Sequence, residues 1–149
     1  MYFLAVFLPL LGALIAGSLV FVNSDDAERQ AKIDRASTYV TCGAMLLAAV
    51  AAAFAFFAIV IGKDTAPIEL FTWIDSGSLE FSWELRADTL GSIMVLMVTV
   101  VSSMIHIYSI GYMSHDHSIP RFFSYLSFFT FFMLMLVSSN NLVQLFFGW

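Results

Sequence analysis

Charge is scarce in this sequence. Of 149 residues, 11% are charged, against 60% apolar. Soluble domains carry about 25% charged residues, so a soluble fold is excluded on composition. No basic tract exists, which removes nucleic acid as a partner. Cysteine occurs once, at Cys42. A lone thiol forms no internal disulfide, and nothing near it has metal-ligand spacing, so it reads as a packed small residue. The first four residues, Met1-Tyr2-Phe3-Leu4, contain no basic side chain. A secretory signal needs one, together with an apolar core of about 7–15 residues. Here the uncharged run continues to Ser24, and it reads as a retained membrane helix. Also missing are a Walker loop, a dinucleotide fingerprint, a catalytic triad and a Cys-x-x-Cys pair. The chain therefore shows no redox centre and no bound cofactor.

What is present is long apolar runs, with sixteen phenylalanines and a mean hydropathy of +0.89. A bilayer core of about 30 Å takes about 20 apolar residues in a helix. Four runs reach or approach that length: 2–22, 38–62, 89–113 and 122–137. A fifth starts at Leu142 and meets the chain end at Trp149. The expected fold is all-α and integral to the membrane, with four complete spans and the start of a fifth. Pro9 falls inside the first span and is expected to kink it. Gly12, Ala16 and Gly17 offer a small-residue surface for close helix contact. An Ala/Gly-rich segment also yields such spacing by chance. The stretch 23–37 carries seven charges and reads as a polar loop.

The segment 63–88 differs from the rest. Leu79, Phe81, Trp83 and Leu85 alternate with Glu80, Ser82, Glu84 and Arg86, the period of a half-buried strand. Ile68 to Ile74 is rich in β-branched and aromatic residues, and Asp75-Ser76-Gly77-Ser78 suits a turn. A β-hairpin at the membrane surface follows, with Trp73 and Trp83 expected at headgroup level. Orientation comes from basic residues in the loops. Arg29, Lys32, Arg35 and Arg121 lie on one side, Lys63 and Arg86 on the other. This favours an outside N-terminus and an outside hairpin.

Few groups can carry chemistry. His106 is the only ionisable residue in the third span, about 10 Å of helix from its end. An ionisable group at that depth is a functional candidate by default. Imidazole titrates near physiological pH and could relay protons. Alternatively it simply bonds a neighbouring helix. His115, Asp116 and His117 suggest metal ligands, but three adjacent residues on a loop make no site alone. A polar interfacial turn is the plainer reading. Asp88 stands where a carboxylate caps the third helix, and Arg121 opens the fourth.

Two stretches are more specific. One is Asp88-Thr89-Leu90 with Met104-Ile105-His106-Ile107-Tyr108-Ser109-Ile110-Gly111-Tyr112-Met113. The other is Arg121-Phe122-Phe123-Ser124-Tyr125-Leu126 with Asn140-Asn141-Leu142-Val143-Gln144-Leu145-Phe146-Phe147-Gly148-Trp149. With Leu8-Pro9-Leu10-Leu11-Gly12, these resemble the N-terminal part of subunit 5, or chain L, of proton-translocating NADH–quinone oxidoreductase, respiratory complex I. The resemblance implies an antiporter-like subunit in the membrane arm, of bacterial or mitochondrial inner membrane. Its partners would be other membrane-arm subunits and lipid. NADH, flavin, iron–sulfur clusters and quinone would be handled by other subunits. In the family a glutamate of the proton path follows Phe-Gly-Trp, with a lysine on a later helix. Here Trp149 is the last residue, so the fragment by itself is expected to be inactive. Ala87 also stands where leucine is usual. The alternative is a subunit of a multi-subunit cation/proton antiporter. A four-helix scaffold without transport is a third reading.

Overall fold

The computed structural model describes residues 1–21, 27–62, 67–76, 79–114, 116 and 118–149, without the side chains of 73–76 and 79–81. Five helices and one hairpin are present among the described residues. They are α1 (Tyr2–Val20), α2 (Ala27–Gly62), β1 (Ile68–Ser76), β2 (Leu79–Leu85), α3 (Thr89–Tyr112), α4 (Ile119–Val137) and α5 (Leu142–Gly148). The first four helices are each long and apolar enough to cross a membrane.

Packing in α1 and α2 rests on small side chains. Their buried faces include Ala5, Pro9, Gly12, Ala13 and Ala16 against Ala48, Ala52 and Ala55. Lipid tails are as apolar as leucine, so helices in a bilayer associate through close backbone approach rather than hydrophobic exclusion. Gly12 shows the consequence. A Cβ built on it would sit 3.1 Å from Ala44 Cβ. α1 runs through Pro9 without interruption. Many of the large apolar side chains point outward instead, with Leu47, Phe54, Met97, Met104 and Phe129 all exposed.

One stretch differs from the sequence reading. Residues 27–37, whose charge suggests a loop, form the first turns of α2. Alanine, glutamate, arginine, glutamine and lysine are good helix formers. Glu28 accepts from Lys32 at 2.8 Å and Asp34 from Gln30 at 3.0 Å, both across i,i+4. The 36 residues of α2 reach about 54 Å, longer than a core of about 30 Å needs, and the charged stretch 27–37 accounts for about 16 Å of that length.

The hairpin is antiparallel, with register shifts between Glu69/Phe71 and Thr72/Ile74. Such bulges increase local twist. Of the expected turn Asp75-Ser76-Gly77-Ser78, the first two residues belong to β1, and Gly77 and Ser78 lie outside the described residues. β2 is fastened to the turn between α4 and α5. Arg86 N–H donates to Ser138 O at 2.7 Å, and Leu85 bridges Ser139. Asn141 Nδ2 donates to Ser82 O at 2.8 Å, and Asn140 Nδ2 donates to the Glu84 carboxylate. At the start of α1, Tyr2 donates its hydroxyl to Arg86 O at 2.9 Å. The N-terminus, the hairpin and the α4–α5 turn therefore share one side of the bundle, as the alternation of spans requires.

Candidate functional site: a buried polar seam around His106

α3 contains no Asp, Glu, Lys or Arg, yet its buried face is mostly polar. Ser92, Thr99, Ser102, Ser103, His106 and Ser109 all lie inward. These positions recur at helical spacing, so one stripe of α3 faces α2 and α4 while Met97, Met104 and Tyr108 face outward. The usual soluble arrangement, polar outside and apolar inside, is inverted.

His106 is at the centre of this seam and is 0% exposed. Its Nδ1 lies 2.7 Å from Ser102 O, one turn back on α3. Its Nε2 lies 3.0 Å from Ser127 Oγ on α4. Ser102 Oγ and Thr130 Oγ1 are 2.7 Å apart. Thr130 gives its hydroxyl hydrogen to Leu126 O at 2.9 Å, so Ser102 is the donor of that pair. Ser103 Oγ sits 2.7 Å from Thr99 O and 3.3 Å from Met45 O on α2. Cys42 Sγ lies 3.7 Å from His106 O. Phe123 closes one side, its ring centroid 6.2 Å from the imidazole. Buried polar groups left unpaired in a bilayer cost several kcal/mol, and here serine and threonine pair most of them with carbonyls or with each other. Two atoms remain without a partner among the described residues, Ser37 Oγ and Gln144 Nε2.

The other sequence candidates lie apart from the seam. Asp88 is the N-cap of α3 and accepts from Gly91 N–H at 2.7 Å; its other oxygen meets Arg86 Nε at 2.9 Å. Arg121 is exposed in the first turn of α4. Trp83 is buried, stacked on Phe71 at 5.8 Å and edge-on to Phe147 at 5.0 Å. Trp73 belongs to β1, with its side chain outside the described residues. His115 and His117 also lie outside them, while Asp116 Oδ1 accepts from Ser118 N–H at 2.7 Å. Among the described residues no group of three His, Cys, Asp or Glu side chains could hold a metal.

Sequence reasoning did not find Ser127, Thr130 or Gln144. Serine and threonine in an apolar run carry no signal of which helix they will face. Gln144 is 1% exposed, and its Oε1 accepts from Glu84 N–H at 3.2 Å. A glutamine at the start of an apolar run was its only mark.

Fold and seam together define a multi-pass helical membrane protein with a hydrogen-bonded polar interior. Residues 73–123 match the family described as NADH-ubiquinone oxidoreductase (complex I), chain 5 N-terminus. The whole chain is 40% identical over 149 residues to NADH-ubiquinone oxidoreductase chain 5 of Dictyostelium discoideum, covering 21% of that protein. The Arabidopsis thaliana chain 5 is also 40% identical, over 150 residues and 21% of its length. NADH-quinone oxidoreductase subunit L of Rhodobacter capsulatus is 45% identical over 148 residues, 95% of this chain and 19% of the relative. The chain resembles chain 5, or subunit L, of complex I along its whole length. It spans about a fifth of the length of these relatives.

Proposed function

We propose that this chain is the N-terminal portion of a membrane-arm subunit of NADH–quinone oxidoreductase, in a bacterial or mitochondrial inner membrane. The subunit takes part in proton translocation coupled to electron transfer from NADH to quinone. The likeness at 40–45% identity over nearly the whole chain carries this reading. NADH, flavin, iron–sulfur clusters and quinone belong to other subunits. Neighbouring membrane-arm subunits and lipid are its partners, and the fragment alone has no turnover.

Within the chain, His106 is the proton-handling group. It sits inside a long apolar span whose other ionisable side chains are Tyr108 and Tyr112, both exposed. Its ring is held by two bonds, one of them to a hydroxyl that can pass hydrogen. The test is His106→Leu in the full-length subunit within the assembled complex. NADH:quinone activity and proton uptake into inverted vesicles are measured together. The expected result is fewer protons moved per NADH oxidised. Unchanged pumping with normal assembly removes His106 from the path. Cation/proton exchange by the native complex without NADH oxidation would instead indicate an antiporter subunit.

A further inference from the structure

The two contacts of the His106 ring are not equivalent. Nδ1 faces Ser102 O at 2.7 Å. A carbonyl oxygen only accepts, so Nδ1 carries hydrogen. The neutral ring has one N–H, which leaves a lone pair on Nε2. Ser127 Oγ, 3.0 Å away, must therefore donate to it. α3 contains no Asp or Glu to act as counter-ion to an imidazolium, and neither does α2 beyond Asp34. On α4 only Arg121 is charged, at the first turn. The ring thus rests neutral, in the Nδ1–H form.

We propose that Ser127 is the single proton port of His106; this rests on the proton-handling reading above. A hydronium ion or a water chain delivers a proton to Ser127 Oγ. The existing Ser127 O–H bond then breaks, its hydrogen forms the Nε2–H bond, and the incoming proton replaces it on oxygen. The product is a neutral serine and an imidazolium. Onward transfer from Nδ1 is blocked, because Ser102 O is an amide carbonyl and holds no proton. Discharge runs back through Ser127 unless the ring rotates off Ser102. In this orientation His106 stores a proton rather than conducting it through. Ser127 is 1% exposed, so the port opens only when water reaches α4 at that level.

The experiment uses the full chain with nitrogen-15 histidine in lipid bilayers, and solid-state NMR of the ring nitrogens. His106→Gln identifies the His106 signals among the three histidines. The wild-type ring is expected as Nδ1–H with an unprotonated, hydrogen-bonded Nε2. A resting Nε2–H form overturns the proposal without any variant. Ser127→Ala should slow hydrogen exchange of the ring with water at least tenfold, with backbone amide exchange in α3 and α4 unchanged as the folding control. Ser127→Thr keeps the hydroxyl and should restore the wild-type rate. Unchanged exchange in Ser127→Ala, or equal loss in Ser127→Thr, overturns the port. Slowed exchange with undiminished pumping by the complex sustains the port and removes His106 from translocation.

Discussion

Asn141 makes two separable contributions at the clasp between hairpin and α5. Its Oδ1 caps the helix, accepting from Gln144 N–H at 2.8 Å, and its Nδ2 donates to Ser82 O at 2.8 Å. Losing an N-cap costs typically about 1 kcal/mol. A protein hydrogen bond contributes about 1 kcal/mol net. Asn141→Ala removes both and should lower stability by about 2 kcal/mol. Asn141→Asp keeps the cap acceptor and suits the helix N-terminus, but has no donor for Ser82 O. Its expected loss is about 1 kcal/mol. Both bonds are only part-buried, so water softens either loss but not their order. The assay is reversible denaturant unfolding in mixed micelles, read by tryptophan fluorescence. Trp83 lies on the same strand as Ser82, packed against Phe71 and Phe147, and reports undocking. Equal losses in the two variants would show that only the bond to Ser82 O matters. A loss under about 0.5 kcal/mol for Asn141→Ala would refute the reasoning.

Two further outcomes follow from packing and topology. Gly12→Val places branched carbon where a bare Cβ already meets Ala44 Cβ at 3.1 Å and Thr41 Cα at 3.6 Å; overpacking costs about 1–3 kcal/mol and should appear in the same unfolding assay. Single cysteines at Phe71 and Arg35, both exposed, should react with an impermeant maleimide from opposite sides of sealed vesicles. Labelling of both from one side would contradict the alternation of spans, and buried Cys42 gives little background.

The spans were legible because membrane helices need only length and low charge. Alternation from Leu79 to Arg86 likewise showed the hairpin, since a period of two has few other sources. Asp88 was readable as a cap from its place before an apolar run. The first turns of α2 were misread for a physical reason. Charge between two spans marks the end of the bilayer, not the end of the helix, and the i,i+4 pairs Glu28–Lys32 and Gln30–Asp34 continue it. The seam was half legible. His106 stands out as an ionisable group in lipid, but its partner Ser127 is 21 residues away on another helix. Nothing local fixes which serine of the run 122–137 will face it. That choice is made by helix rotation, which small residues such as Gly12 and Gly17 permit. A Cβ on Gly17 would sit 3.0 Å from Ser124 Oγ.

The outer clasp also acts as a fulcrum. The starts of α1 and α3 and the end of α4 are tied together through Tyr2, Arg86 and Ser138. His106 lies seventeen residues along α3 from Thr89, about 26 Å down its axis. A tilt of about 5° about the tied end moves His106 sideways by about 2 Å, at 1.5 Å of rise per residue. That is enough to part Nε2 from Ser127 or to admit a water between them. A strain applied at the membrane surface, on the hairpin side, is thus geared up at the buried imidazole without any rearrangement of the clasp itself.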